Sequence, residues 1–181
     1  MCIKLAEGTL KAVKPLRVNP DFKNEVMELA DGETLKMCFQ CGTCTSSCPI
    51  ARFTDSYRPR QIIRMVQLGL REPVLSSDSL WLCAACFTCV DRCPQNVEVA
   101  SVLRVLRNMA VEKGYIPEPY RVMASNVLST GYAYKISGAR LRRRESLGLP
   151  ALPTANIKNL QKLAEVIKFS KLISLTERSK S

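Results

Sequence analysis

The sequence predicts a mainly α protein, and three observations carry that expectation. No long stretch alternates apolar and polar residues with period two, the mark of a half-buried strand. Apolar residues recur instead at three- and four-residue spacing in several segments. Eight of the nine cysteines fall in two runs of identical spacing, and the stretch joining those runs reads as helix.

Taken in order, residues 1–18 form a short mixed arm in which Lys4, Lys11, Lys14 and Arg17 interrupt the apolar residues, and Cys2 stands alone as a spare thiol. Asn19-Pro20-Asp21 is a helix start. Phe22, Val26, Leu29 and Ala30 then share one face, with Asp31-Gly32 as the stop. Glu33 to Met37 lead into the first cysteine run. Pro59 opens the next helix, whose face is Ile62, Ile63, Val66 and Leu70, with Gly69 and Pro73 bracketing its end. Ser76-Ser77-Asp78 is a capping cluster ahead of Leu80-Trp81-Leu82 and the second run.

Beyond the second run, Val99, Val102, Leu103, Leu106, Met109 and Ala110 form a strong buried stripe, with Arg104 and Arg107 off it. Gly114 closes that helix. Tyr120, Met123, Ala124, Val127 and Leu128 predict another, stopped near Gly131. Tyr132 to Gly138 fits either a short strand or a loop. Four arginines follow, Arg140, Arg142, Arg143 and Arg144, and then the extended segment Gly148 to Thr154, which its prolines bar from helix. A last helix carries Ile157, Leu160, Leu163, Ala164 and Ile167, and the Ser/Lys-rich end is expected to fray. The chain thus divides into the arm 1–18, a central domain 19–116 and a helical extension 117–181.

The beginning of the chain lacks the apolar run of a leader, and no apolar stretch approaches bilayer-spanning length. A cytoplasmic protein is expected, where clustered cysteines are metal ligands rather than disulfides. Both runs read C-x2-C-x2-C-x3-C-P, the bacterial-ferredoxin pattern that supplies thiolates to cubane iron–sulfur clusters. Two-residue gaps let three sulfurs converge on one cubane. In two-cluster ferredoxins the fourth cysteine, ahead of proline, ligates the other cluster. Two [4Fe–4S] clusters are therefore expected, one held by Cys38, Cys41, Cys44 and Cys93, the other by Cys83, Cys86, Cys89 and Cys48. Pro49 and Pro94 fix the backbone as it leaves each run. Gly42 is expected to let the first loop approach its cluster closely, and Phe39, Phe87 and Trp81 to exclude water. Zinc fits less well, because structural zinc sites join separated cysteine pairs.

Corresponding cysteines are offset by 45 residues throughout, and the connection holds a helix. This arrangement resembles the α-helical ferredoxin fold of iron–sulfur subunits in larger redox enzymes. With no histidine, no G-x-G-x-x-G and no Walker A run, electron transfer is the chemistry left. The formal charge is +11, or about +7 once eight thiolates and two oxidised cores are counted. Such an excess suits an acidic partner surface, nucleic acid or an anionic membrane.

The whole chain resembles the iron–sulfur C subunits of heterodisulfide reductases. The likeness rests on Asp31-Gly32-Glu33-Thr34-Leu35, on Cys38-Phe39-Gln40-Cys41-Gly42-Thr43-Cys44, on the second motif, and on the segments Arg140 to Arg144 and Leu147 to Pro150. It implies a relay from a flavin- and iron–sulfur-containing A subunit to a catalytic B subunit. There, at noncubane clusters, the mixed disulfide of coenzyme M and coenzyme B is reduced. It also implies a larger electron-bifurcating complex of methanogenesis with a hydrogenase or formate dehydrogenase. No Cys-Cys pair occurs here, so the disulfide-cleaving site is expected in another subunit. The arginines Arg140, Arg142, Arg143 and Arg144 are expected to dock a partner subunit. Neither nucleic acid nor a membrane is expected as a partner, since no helix-turn-helix signature or stacking aromatic accompanies them. A related complex of sulfur or sulfate metabolism, or a free two-cluster ferredoxin, are the alternatives.

Overall fold

The computed structural model describes residues 17–29 and 32–173. Cys2, most of the arm 1–18, Ala30, Asp31 and the chain end beyond residue 173 lie outside the described residues. No strand occurs among the described residues, and the architecture is mainly α. None of their helices is long and apolar enough to cross a membrane.

Helix α1 (Phe22–Leu29) starts where Asn19 lends its side-chain oxygen to the Asp21 N–H and its carbonyl to the Phe22 N–H. It buries Phe22 and Val26, while Leu29 faces outward. The 3-10 turn Gly32–Met37 then seats Leu35 in the core. The two cysteine runs each contain a single helical turn, α2 (Thr43–Ser46) and α5 (Thr88–Asp91). Between them lie the 3-10 turn Ile50–Arg52, α3 (Pro59–Gln67), α4 (Arg71–Leu75) and the 3-10 turn Asp78–Leu82.

Pro59 occupies the first position of α3, and Ile62, Ile63 and Val66 are buried as their spacing predicts. Pro73 does not close α3. It stands in the first turn of α4, where a missing N–H costs no intrahelical bond. Ser77 caps the turn ahead of the second run by accepting from the Ser79 N–H.

Helix α6 (Val99–Glu112) is the shaft of the core. Its predicted stripe is buried along its whole length. It packs against α1, α4, α5 and both 3-10 turns that lead into the cysteine runs. One element therefore fixes the approach to both loops. The Arg71–Glu25 ion pair and the Arg71 guanidinium over the Phe22 ring tie α4 to α1.

Helix α7 (Glu118–Thr130) packs on α9 (Ile157–Val166) and α10 (Phe169–Ile173). Residues 132–137 form a bend and loop, and Gly138 already belongs to the next helix. The arginines lie on α8 (Gly138–Ser146), a helix without a buried face and so without a hydrophobic period to mark it. The proline segment after it is irregular, as expected. In α9 only Ala164 is buried, and Leu163 and Ile167 of the expected stripe are exposed.

Candidate metal centre

The two cysteine loops repeat each other in backbone conformation as well as in spacing. Gln40 and Ala85, 45 positions apart, have φ of 64° and 51°. Gly42 and Phe87, again 45 apart, have φ of 88° and 60° and cap α2 and α5. Three of these four are not glycine, and left-handed backbone at such residues is strain that persists at functional sites. Left-handed residues of this kind are those from which nests of N–H groups around phosphates and iron–sulfur clusters are built.

Sulfurs receive those donors. The Ala85 N–H points at the Cys83 sulfur at 3.4 Å, and the Val97 N–H at the Cys93 sulfur at 3.3 Å. The Gln40 amide lies 3.5 Å from the Cys38 sulfur. Thr43 and Thr88 hydroxyls lie 3.4 and 3.5 Å from the sulfurs of Cys41 and Cys86. Those hydroxyls, with the N–H groups of the same threonines, hold both exposed thiols below their ordinary range. Burial does the reverse at Cys44, and it pushes Cys89 up to about 12, with neighbouring sulfurs of Cys83 and Cys44 adding to the effect. Thiols crowded in this way favour a cation that neutralises several thiolates together.

Each loop is also clamped from behind at matching carbonyls. Gln67 on α3 donates to the carbonyls of Cys38 at 3.0 Å and Leu35 at 3.5 Å. Arg107 on α6 donates to the carbonyls of Cys83 at 2.7 Å and Leu80 at 3.0 Å. Leu35 and Leu80 are again 45 apart. Arg107 is thus half-buried and engaged, rather than an off-stripe surface charge, and its guanidinium also lies over the Trp81 ring.

One small cavity is lined by Cys48, Cys83, Cys86 and Cys89. Cys48 has crossed from the first run to meet the three close cysteines of the second. Cys48 and Cys89 are both part of the hydrophobic core. Helix α2, which carries Cys44, packs on α5, which carries Cys89, so the two cysteine loops adjoin. Cys93 is half-buried at the core edge, and the Glu98 N–H donates to the Thr34 hydroxyl, drawing the segment after Cys93 to the segment before Cys38. Among the described residues no three His, Cys, Asp or Glu side chains converge on a point fit for one ion.

One expectation changes. Phe39 and Phe87 are 60% and 47% exposed, so they do not seal the loops in this chain. Gly42 has φ of 88°, and a Cβ there would meet no protein atom nearer than the Arg60 side chain at 3.6 Å. The buried aromatic on the cavity wall is instead Tyr57, 1% exposed. Burial and the sulfurs of Cys83, Cys48 and Cys89 push its hydroxyl far above the usual phenol range. No periodicity marks Tyr57 in the sequence, where it lies in the irregular stretch before Pro59.

The arginines of α8 lie well beyond the cysteine runs in sequence. Arg140, Arg142 and Arg143 are exposed, whereas Arg144 is half-buried and donates to the Pro150 carbonyl at 2.6 Å.

Residues 34–97 match the 4Fe-4S dicluster domain family, so the cofactors are two [4Fe–4S] clusters. The chain is 39% identical over 169 residues to the iron–sulfur C subunit of the CoB–CoM heterodisulfide reductase of Methanopyrus kandleri, covering 86% of this chain and 88% of that one. It is 41% identical over 178 residues to the second such C subunit of Methanocaldococcus jannaschii, covering 91% and 95%. It is 36% identical over 156 residues to the C subunit of the H2:CoB–CoM heterodisulfide,ferredoxin reductase of Methanothermobacter thermautotrophicus, covering 83% and 84%.

Proposed function

We propose that this chain, which belongs to the family of heterodisulfide reductase iron–sulfur C subunits, is the electron relay of such a complex. It would accept electrons from a flavin- and iron–sulfur-containing A subunit and deliver them to a catalytic B subunit that reduces the coenzyme M–coenzyme B heterodisulfide. The two clusters supply one-electron transfer when bound. Cys38, Cys41, Cys44 and Cys93 would hold one cluster, and Cys48, Cys83, Cys86 and Cys89 the other. The observation that carries the reading is the crossing of Cys48 into the cavity of Cys83, Cys86 and Cys89. It ties both runs into one unit and brings the two sites together.

The residues around the sulfurs serve binding and orientation. Loop N–H groups offset thiolate charge, Gln67 and Arg107 fix the loops against α3 and α6, and Tyr57 is buried in the wall of the second site. No histidine stands anywhere in the chain for proton transfer, and no adjacent cysteine pair for a noncubane site. The substrate chemistry is therefore assigned to another subunit of a cytoplasmic complex, with a hydrogenase or formate dehydrogenase as the upstream donor. The exposed Arg140, Arg142 and Arg143 are assigned to docking. Arg144 supports them by anchoring α8 to the proline segment.

Anaerobic size-exclusion of native extract, with co-eluting chains identified, tests the reading. The chain is expected far above its own mass of 20.2 kDa, together with a flavoprotein and a subunit bearing paired cysteines. Elution at its own mass would instead support a free ferredoxin. Co-elution with enzymes of sulfur or sulfate metabolism would support a related complex.

A further inference from the structure

The two sulfur sites are near copies in backbone, but one buried hydroxyl breaks the symmetry. Tyr57 lines the cavity of Cys48, Cys83, Cys86 and Cys89 and is closed from solvent, so its phenol has to find an acceptor within that wall, where the Cys83 sulfur also stands. That sulfur accepts from the Ala85 N–H at 3.4 Å. At the matching sulfur of the first run, Cys38, the side-chain donor is the amide of Gln40, which is shared with Gln67 at 3.1 Å. The position 45 residues beyond Tyr57 is Val102, buried and without a donor. The second site thus has a buried phenol in its wall where the repeat places a valine.

The physical consequence has a definite sign. A cluster held by four thiolates is anionic and gains a further negative charge on reduction. Burial in an apolar wall opposes that gain, which lowers the potential. A hydrogen bond donated to a sulfur stabilises the reduced state more than the oxidised one, and does so more strongly where the surroundings are dry. The hydroxyl therefore acts against the effect of its own apolar surroundings.

We propose that Tyr57 donates a hydrogen bond to the Cys83 sulfur and holds the potential of the Cys48, Cys83, Cys86 and Cys89 site above that of the same site without the hydroxyl. Tyr57 is a positioning and tuning residue, not a ligand. The proposal rests on the ligand reading given above, and the experiment separates the two.

The full chain loaded with iron and sulfide is titrated potentiometrically and followed by low-temperature EPR, for the wild type, Tyr57→Phe and Cys48→Ala. Phenylalanine keeps the ring packed and removes only the hydroxyl. One midpoint is expected to move to more negative potential in Tyr57→Phe, the other to stay. The moving signal should be the one that Cys48→Ala abolishes. On the wild type, resonance Raman bands of iron–thiolate stretching should shift on exchange into D2O, and a part of that shift should vanish in Tyr57→Phe. This spectrum is independent of whether the variant assembles in a complex. Unmoved midpoints with an unchanged Raman shift would overturn the proposal, as would equal movement of both. A shift confined to the signal that survives Cys48→Ala would overturn the ligand reading while leaving the Tyr57–Cys83 hydrogen bond in place.

Discussion

Cys48→Ala is expected to remove the cluster of Cys83, Cys86 and Cys89 and to leave the cluster of its own run in place. The variant should retain about half of the wild-type iron and sulfide, because each site carries one cubane. The reason is geometric. Cys48 is 7% exposed and faces the cavity of the second run, because Pro49 begins a 3-10 turn that carries the chain away from the first loop. Alanine leaves three thiolates around a buried corner with no replacement donor and no room for ordered water among apolar neighbours. Iron and sulfide analysis with EPR of the reduced variant measures the effect. Loss of only the signal belonging to Cys38, Cys41 and Cys44 would refute crossed ligation.

Gly69→Ala is expected to destabilise the folded chain by about 3 kcal/mol. Gly69 has φ of 72°, and an added Cβ would lie 2.2 Å from the Asn19 carbonyl oxygen and 2.8 Å from its carbon. Both are backbone atoms, so no side chain can swing aside. The left-handed angle alone costs alanine about 1 kcal/mol. The remainder comes from forcing apart a join in which the Asn19 N–H donates to the Gly69 carbonyl at 2.8 Å. Asn19 starts α1, so the displacement reaches Phe22 and Val26 in the core. Urea unfolding of the loaded chain, followed by helical circular dichroism, measures the loss. A change below about 1 kcal/mol would mean that the join at Asn19 yields freely.

The elements read correctly from sequence are those with a two-sided environment. Ile62, Ile63 and Val66 on α3, and Val99 to Ala110 on α6, repeat at helical spacing because one face meets the core and the other meets water. Helix α8 carries no such contrast, and its arginines declare only charge. Helices α2 and α5 are four residues long, too short for any period. They exist because the loops and the capping residues Gly42 and Phe87 impose them.

At the metal centre the ligand types and the repeat distance were legible, since thiolate chemistry requires cysteine at defined gaps. The loop conformation was not. Gly42 advertises a left-handed angle, but its counterpart is Phe87, and Gln40 and Ala85 carry no signal either. Tertiary packing decides those angles. The same holds for Arg107 and Tyr57, whose roles depend on carbonyls and sulfurs 24 and 26 positions away in sequence. Residue type alone marked the first as surface and left the second unnoticed.

The two runs are expected to form one crossed, two-cubane electron relay. Low-temperature EPR of the fully reduced chain, on a sample whose iron and sulfide have been counted, tests it most directly. Iron and sulfide for two cubanes are expected, with a spectrum split by magnetic interaction between neighbouring reduced clusters. One zinc without sulfide, or a single isolated cubane, would contradict it.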